Sequence, residues 1–289
     1  MSNKVKFLLL AVCCLVLIAF GLVYYFDAEQ KNEVIFFNVG QGDSALINLP
    51  GNNEILIDGG PDMSVLYKLG KYLPIYNRDI ELMILTHPHA DHVTGLVEVL
   101  ERYDVKAVLY TGVEYESGIY SLFKKTIKQK NIKTFTLEDV QLNEDVILKV
   151  IYPWPIRQAR GEIKDFKWLD DLEDVNETSI VLKLDTENKD FLFTGDISVD
   201  VEEEILKKME TLRQAQGLRA NVLKVAHQGS DTSSAEEFIK AVDPDIAVIS
   251  VGENDYGHPS LRVIRRLERL GISVFRTDKD GDIIIKIQE

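Results

Sequence analysis

Histidine is scarce in this chain, and its placement constrains the fold more than any other feature of the sequence. The 289 residues include five histidines, and three of them fall within the run His87-Pro88-His89-Ala90-Asp91-His92. Zinc and manganese accept imidazole nitrogen and carboxylate oxygen, and a hydrolytic site needs several such ligands with one position open for water. Histidines used only for packing would be scattered, so the run predicts a metal site.

The run lies where the sequence predicts a loop between a strand and a helix. Residues 81–85 form a short apolar stretch typical of a strand, and residues 93–100 have the apolar spacing of a helix. The alternative is a turn in which Pro88 breaks the strand and Asp91 caps the helix. We favour the metal site because the run supplies four candidate ligands.

A strand followed by a helix divides these ligands between two ions. Alternate residues of an extended chain point the same way, so His87 and His89 can share one ion. Asp91 and His92 enter the helix turned away from that pair and can serve a second ion about 3.5–4 Å from the first. We therefore predict two divalent ions, zinc or manganese.

Two further strands are predicted to end in ligand-type residues. Residues 191–196 are an apolar stretch whose glycine permits a tight turn, which leaves the Asp196 carboxylate at the exit of the strand. Residues 220–226 predict a buried strand with His227 at its C-terminal end, where α/β folds gather ligands. A turn aspartate and a loop histidine are the respective alternatives.

Other short motifs surround the histidine run. They are NVGQGDS at 38–44, LIDGG at 56–60, TGD at 194–196, LKVAHQGS at 223–230, and SVG followed by YGHP between 250 and 259. The run resembles the His-x-His-x-Asp-His signature of the metallo-β-lactamase superfamily of metallohydrolases. The order of the other motifs is similar to that in the soluble hydrolase domain of ComEC-type DNA-uptake proteins, and the likeness extends from about Val34 to the C-terminus.

The resemblance implies a role for individual residues. The metal ligands would be His87, His89, Asp91, His92, Asp196 and His227. Asp196 would bridge the two ions, His227 would bind the second, and Asp91 would also take part in catalysis.

Three more residues are candidates around the metals. Asp58 follows a predicted strand and on its own indicates only a turn, but the resemblance implies that it holds the histidine loop from behind the ligands. His258 precedes a helix and would contact a substrate phosphate, donate a proton or simply close a turn. Ser230 is a second candidate substrate contact, and Ser260 is predicted to cap the following helix.

The chain departs from the resembled pattern at two positions. Many superfamily members place a further histidine on the first metal, where this chain has Asn176-Glu177-Thr178-Ser179. The first metal would then have His87, His89 and Asp196, with water or a weak contact from Asn176. Gln228 stands where the ComEC-like pattern usually has histidine. Because glutamine cannot relay protons, we expect a slower enzyme or a different choice of substrate.

The N-terminus contains one long apolar segment. Residues 7–26 are uncharged, and about 20 such residues are needed to cross a bilayer. Lysines 4 and 6 precede the segment and acidic residues follow it, so the positive-inside rule places the N-terminus in the cytoplasm and the rest outside. A cleaved signal peptide is the alternative to this anchor. Both cysteines lie within the segment, so the remainder of the sequence offers no thiol ligand.

The rest of the sequence predicts a linker at 27–33 and one α/β domain at 34–289. Strands are predicted near 34–39, 44–48, 54–58, 80–85, 106–109, 146–151, 178–184, 190–194, 220–226, 245–250, 273–276 and 282–287. Helices are predicted near 62–72, 93–102, 117–130, 199–213, 233–241 and 260–270. This alternation, with the resemblance, predicts an αββα four-layer sandwich preceded by one transmembrane helix. Residues 153–175 have no clear period and predict a surface loop near the site.

Charge argues against easy binding of nucleic acid. The net charge is −14, and non-specific affinity for DNA depends on neutralising phosphates with lysine and arginine. Two divalent ions would offset this locally, and the last predicted helix carries Arg262, Arg265, Arg266 and Arg269. An ordinary amphipathic surface explains those arginines better than a phosphate-binding track does.

The expected activity is hydrolysis by water whose pKa the metals lower, without a serine or cysteine nucleophile. The resemblance favours a phosphodiester substrate, above all DNA outside the cytoplasm, and so a membrane-tethered nuclease. The multi-helix channel region of ComEC-type proteins is not in this sequence, so we expect the protein to act alone or beside a separate DNA-uptake channel. Hydrolysis of a lactam, lactone or thioester is the second hypothesis, and a non-catalytic metal-binding module is the third.

Overall fold

The computed structural model describes residues 2–29, 32–51, 53–135, 140–142, 146–154, 169, 172, 174–211 and 215–288. The strands in these ranges are β1 Glu33–Phe36, β2 Ala45–Leu49, β3 Asn53–Ile57, β4 Asp79–Ile80, β5 Leu82–Ile84, β6 Asp104–Val105, β7 Ala107–Leu109, β8 Lys133–Phe135, β9 Val140–Gln141, β10 Ile147–Tyr152, β11 Val181–Asp185, β12 Phe191–Phe193, β13 Val222–Lys224, β14 Ile246–Ile249, β15 Ser273–Arg276 and β16 Ile283–Lys286. The helices are α1 Asn3–Glu29, α2 Ser64–Tyr72, α3 Ala90–Arg102, α4 Gly118–Lys130, α5 Val199–Thr211, α6 Glu236–Val242, α7 Leu261–Arg269 and α8 Thr277–Asp280.

Two seven-stranded sheets form the centre of the domain. The first has the strand order β16-β1-β2-β3-β5-β7-β8, and the second has the order β15-β14-β13-β12-β11-β10-β9. Both sheets are mixed, with antiparallel pairs such as β1–β2 and β11–β12 and parallel pairs such as β3–β5 and β12–β13. The parallel strands β12, β13 and β14 of the second sheet, like β3 and β5 of the first, end at edges from which loops carry the candidate site residues.

The apolar residues divide into three cores, which shows the layering directly. Successive residues of β1 and the adjoining Phe37 alternate between cores: Val34 and Phe36 face the second sheet, whereas Ile35 and Phe37 face the helices. The core between the sheets joins Phe36 to Phe193, with ring centroids 5.8 Å apart. The outer cores pack the first sheet against α2, α3 and α4, and the second against α5, α6 and α7. The predicted αββα four-layer sandwich is confirmed.

The helix that carries two candidate ligands is docked by a close contact between two glycines. A Cβ atom on Gly95 of α3 would lie 1.9 Å from the carbonyl oxygen of Gly59. The backbone amide of Gly59 donates to the carbonyl of His92 at 2.7 Å, and the amide of Gly95 donates to the carbonyl of Gly60 at 3.1 Å. The first turn of α3 is thereby fixed against the loop that follows β3.

Some predicted elements differ from those observed. The single strand predicted at 80–85 is divided into β4 and β5. Strand β5 belongs to the first seven-stranded sheet, whereas β4 pairs with β6 in a separate two-stranded sheet. Strands β8 and β9 were not predicted, because neither has an apolar alternation long enough to be recognised. The strand predicted near 178–184 begins at Val181, since Val175–Thr178 forms a 3-10 turn. Most of the loop predicted at 153–175 lies outside the described residues.

Helix α1 stands apart from the three cores. Its segment Asn3–Gly21 has a mean hydropathy of 2.3 and none of it is buried. It is the one helix in the described ranges that is long and apolar enough to cross a membrane. This agrees with the predicted single N-terminal transmembrane helix.

Candidate metal centre

The candidate ligands meet where strands of both sheets end. The histidine run lies between β5 and α3, with His89 immediately before the helix. Asp196 follows β12, and His227 follows β13. The backbone amide of His227 donates to the carbonyl of Gly195 at 3.1 Å, so the loops after β12 and β13 are joined directly.

Three side chains form a compact cluster. One potential ligand atom from each of His87, His92 and Asp196 lies within 4.8 Å of the other two, and all three residues are buried. Nε2 of His92 is 3.4 Å from Oδ2 of Asp196 and 3.7 Å from Oδ2 of Asp91. Nε2 of His87 is 3.2 Å from Nδ1 of His89. The predicted histidine run and the predicted aspartate therefore come together in space.

The cluster fits a divalent cation. Within the described part of the chain, Nε2 of His92 and Oδ1 of Asp196 are buried without a hydrogen-bond partner, which costs free energy unless another group binds them. Burial lowers the pKa of His87 well below its ordinary value, and neighbouring His92 lowers it further, so His87 is a neutral imidazole. Neutral imidazole and carboxylate are the forms in which these side chains bind metals.

His92 and the carboxylates around it shift each other's pKa values. Burial raises the pKa of Asp196, but His92, Lys224 and His87 together outweigh burial and hold it well below its usual range. Burial lowers the pKa of His92, but Asp196, Asp91 and Asp58 together hold it well above its usual range. The site therefore attracts positive charge at the position where a metal would displace a proton.

The predicted supporting role of Asp58 has a clear geometric basis. Its Oδ1 accepts from the backbone amide of Thr86 at 2.8 Å, and its Oδ2 accepts from the Thr86 hydroxyl at 2.7 Å. The same Oδ2 lies 2.9 Å from Nδ1 of His92. Because a carboxylate only accepts, Nδ1 of His92 carries a proton, and Nε2 points toward Asp196 and Asp91.

A buried lysine also faces the site, and sequence reasoning missed it. Nζ of Lys224 forms an ion pair with Asp43 and lies 3.9 Å from Oδ1 of Asp196. Burial lowers the pKa of Lys224, but Asp43 and Asp196 outweigh burial and raise it. The available signal was a charged residue inside an otherwise apolar strand, together with the aspartate of the motif at 38–44.

A chain of amide contacts reaches Asp91 from the second sheet. Nε2 of Gln228 donates to Oδ2 of Asp91 at 2.8 Å, and Gln41 donates to the side-chain carbonyl of Gln228. The backbone amide of Gly252 donates to Gln41 at 3.1 Å. Gln228, which departs from the ComEC-like pattern, therefore orients one carboxylate oxygen of Asp91.

The cluster opens into a cavity of about 830 Å³. Its lining includes His89, Asp91, Asn176, Asp196, His227, Gln228, Tyr256 and His258. The ring centroids of His227 and His258 are 5.3 Å apart. Burial lowers the pKa of His258, and the neighbouring His227 lowers it further. Nδ1 of His258 and Oδ1 of Asn176 are buried without a hydrogen-bond partner among the described residues.

Ser230 is not among the described residues that line this cavity. It is buried, and its hydroxyl lies 3.0 Å from that of Thr232. Ser260 does cap α7 as predicted, since its side chain accepts from the backbone amide of Arg262.

The arginine-rich helix α7 is an amphipathic surface helix. Val263 and Leu267 are buried, whereas Arg266 donates to the carbonyl of Ser234 and Arg269 pairs with Glu236. The helix therefore has the buried and exposed faces predicted for an amphipathic surface helix, and Arg266 and Arg269 have partners among the described residues.

Comparison with known proteins gives the same family. The model of the metallo-beta-lactamase superfamily matches residues 37–253. The chain is 28% identical over 299 residues to ComE operon protein 3 of Bacillus subtilis (strain 168), which covers 94% of this chain and 35% of that protein. It is 28% identical over 278 residues to competence protein ComA of Neisseria gonorrhoeae, which covers 92% of this chain and 34% of that protein. The chain thus spans about a third of the length of these relatives.

A solved structure of the same fold agrees with this assignment. The metallo-beta-lactamase fold protein YhfI from Bacillus subtilis superposes with a TM-score of 0.54 at 12% sequence identity, covering 89% of this chain and 100% of that one. At this identity the likeness concerns the fold alone. Family model, relatives and fold agree that this chain belongs to the metallo-beta-lactamase superfamily of metal-dependent hydrolases and is related to ComEC-type competence proteins.

Proposed function

We propose that this hydrolase is a phosphodiesterase that cleaves DNA outside the cytoplasmic membrane. The observation that carries the proposal is the buried cluster of His87, His92 and Asp196. Nε2 of His92 and Oδ1 of Asp196 have no hydrogen-bond partner among the described residues, and Asp196 lines an open cavity. A divalent cation held there would supply a Lewis acid and lower the pKa of water, so that hydroxide is available near neutral pH.

The chain offers ligands for two ions, zinc or manganese. His87, His89 and Asp196 would hold the first, with Asn176 as a weak contact through its unpartnered Oδ1. Asp91, His92 and His227 would hold the second, with Asp196 shared between the ions. The mixed imidazole and carboxylate set suits either metal, and the absence of cysteine outside α1 excludes a thiolate ligand.

The residues of the protein bind and orient the substrate in this proposal. His258 has an unpartnered Nδ1 at the cavity and would contact a phosphate oxygen or donate a proton to the leaving oxygen. Asp91 would orient the attacking water, and Gln228 would hold the Asp91 carboxylate in place. Lys224 would compensate the negative charge gathered behind the cluster.

Phosphodiester hydrolysis depends on the proposed cations to offset the charge of the cavity. Its charged side chains are the carboxylates Asp91, Asp196, Glu253 and Asp255, so a phosphate would be attracted at the metal position and not by the rest of the lining. DNA is favoured over other diesters by the competence proteins to which the chain is similar.

The N-terminal helix supports a membrane location for this activity. The segment Asn3–Gly21 would span the bilayer, with Lys4 and Lys6 on the cytoplasmic side and the hydrolase domain outside. Protease added to intact cells would degrade the hydrolase domain in this orientation. Protection of the domain until the membrane is permeabilised would contradict it.

A substrate panel tests the proposed chemistry. The full chain in detergent, loaded with manganese or zinc, would be assayed on single-stranded DNA, a lactam, a lactone and a thioester. We expect metal-dependent cleavage of DNA alone. Turnover of an acyl substrate with intact DNA would favour small-molecule hydrolysis, and bound metal without any turnover would indicate a binding module.

A further inference from the structure

Tyr256 occupies an unusual place at the rim of the metal cavity. Its side chain is 78% exposed, although a large aromatic ring gains free energy from burial. It nevertheless lines the same cavity as Asp91 and Asp196. An exposed ring beside a candidate active site differs from one on an open surface, because a bound substrate would cover it.

The loop that carries Tyr256 is held in place by one side chain. Oδ1 of Asn254 accepts from the backbone amides of Tyr256 at 3.1 Å and His258 at 3.0 Å. Nδ2 of Asn254 donates to the carbonyls of Gly252 at 2.9 Å and His258 at 2.8 Å. These four hydrogen bonds fix the loop backbone, so the exposed ring is presented by an ordered turn.

Tyr256 ends a row of three rings that leads out of the metal centre. The ring of His227 lies 5.3 Å from that of His258, which lies 5.9 Å from that of Tyr256. A phosphate near His258 would therefore have the ring of Tyr256 about one nucleotide away. The neighbouring Glu253 and Asp255 also line the cavity and would repel a second phosphate. An uncharged base is the part of a nucleic acid that fits this position.

We propose that Tyr256 is a stacking platform for a nucleobase adjacent to the scissile phosphate. The proposal rests on the proposed DNA-cleaving function and names the form of DNA that this site selects. Aromatic side chains stack on any base because every base has a π face, so the subsite tolerates different sequences. A base in a duplex is already stacked and paired, so the subsite favours single-stranded DNA.

Binding experiments test this subsite without requiring turnover. Affinities of the full chain in detergent, with manganese, would be measured by fluorescence anisotropy for cleavage-resistant phosphorothioate oligonucleotides. One oligonucleotide carries normal bases, and the other carries abasic tetrahydrofuran residues throughout. We expect Tyr256→Ala to weaken binding of the normal strand about 10-fold and to leave the abasic strand unchanged. Tyr256→Phe keeps the π face and should bind as the wild type does.

A matched control separates this effect from loss of any exposed tyrosine. Tyr67 on α2 is 79% exposed and is not among the described residues lining the cavity, so Tyr67→Ala should leave both affinities unchanged. Equal weakening of the normal and abasic strands by Tyr256→Ala, or no weakening of either, would overturn the stacking subsite. Absence of binding by the wild-type protein would overturn it as well.

Cleavage of ordinary oligonucleotides is scored separately. If Tyr256 contributes to base-dependent binding but no oligonucleotide is cleaved, the stacking subsite is supported and the proposed nuclease activity is contradicted. Cleavage whose KM is unaffected by Tyr256→Ala would support the nuclease and refute the subsite.

Discussion

The carboxylate of Asp58 lies 2.9 Å from Nδ1 of His92 and fixes which nitrogen of that ring faces the candidate metals. Asp58 has a positive φ of 55°, a conformation that asparagine also tolerates. Asp58→Asn therefore keeps the backbone while removing a charged acceptor. We expect metal affinity to fall about 10- to 100-fold.

Competition with a chromophoric zinc chelator would measure that loss. Asp62→Asn is a suitable control, because Asp62 is exposed and its carboxylate accepts only from the nearby Ser64 amide among the described contacts. Unchanged affinity in Asp58→Asn would show that Asp58 does not support the metal site.

We expect alanine to have opposite effects on the free energy of unfolding at Gly95 of α3 and at Gly70 of α2. A Cβ on Gly95 would collide with the Gly59 carbonyl at 1.9 Å, whereas Gly70 has nothing within 4 Å of such an atom. Gly95→Ala should lower the free energy of unfolding by about 3 kcal/mol or more, because backbone must shift. Gly70→Ala should raise it by about 0.5–1 kcal/mol. Urea unfolding would measure both, and a stable Gly95→Ala variant would contradict the close docking of α3.

Asp282, immediately before β16, ties that strand to helix α2. Its carboxylate accepts from Lys68 at 2.6 Å, from Lys71 at 3.0 Å, from the Tyr72 hydroxyl at 2.9 Å and from the Asn38 amide at 2.9 Å. Burial raises its pKa, but these partners outweigh burial and lower it to about 2.

The direction of that shift predicts a pH dependence. The lowered pKa means that the ionised Asp282 stabilises the fold above the unfolded value of 3.8, and that this contribution is lost as the pH falls toward 2. Asp282→Asn should lower the free energy of unfolding by about 1–2 kcal/mol at pH 7 and by less at pH 3. Asp104→Asn removes an exposed ion pair and should change it by less than about 0.5 kcal/mol. A difference for Asp282→Asn that grows on acidification would contradict the assignment.

Gln228 is expected to support activity through Asp91. Gln228→Ala removes the hydrogen bond of 2.8 Å to the Asp91 carboxylate. The loss of one hydrogen bond to a charged group corresponds to about 1.5 kcal/mol, or roughly a 10-fold lower kcat/KM for the proposed diesterase reaction. Gln41 reaches Asp91 through Gln228, so Gln41→Ala should have a smaller effect. Equal activity in wild type and Gln228→Ala would contradict this role.

The sequence predicted those parts of the site that depend on local pattern. The histidine run and Asp196 lie next to recognisable strand ends, so their convergence follows from the topology of an α/β fold. The continuous apolar run of β1 likewise predicts a sheet buried on both faces. Ser230, by contrast, shares a motif with His227 but is buried away from the cavity.

Long-range contacts could not be predicted in this way. Asp43 and Lys224 are 181 positions apart. A lysine in an apolar strand indicates that it needs a partner, but local pattern does not identify which residue that partner is. The left-handed conformation of His227, with φ of 47°, and of Gln228, with φ of 52°, departs from the helical or extended backbone that local pattern assumes. The link from Gln228 to Asp91 depends on that conformation and on the packing of two sheets.

The most direct test of the central claim is DNA cleavage by the detergent-solubilised full chain, with and without manganese or zinc, beside the Asp91→Ala variant. Metal content of both proteins would be measured in parallel. We predict metal-dependent cleavage of single-stranded DNA by the wild type and a loss of at least 100-fold in the variant. Intact DNA with metal demonstrably bound to the wild type, or equal cleavage by Asp91→Ala, would contradict the assignment of this site as a nuclease.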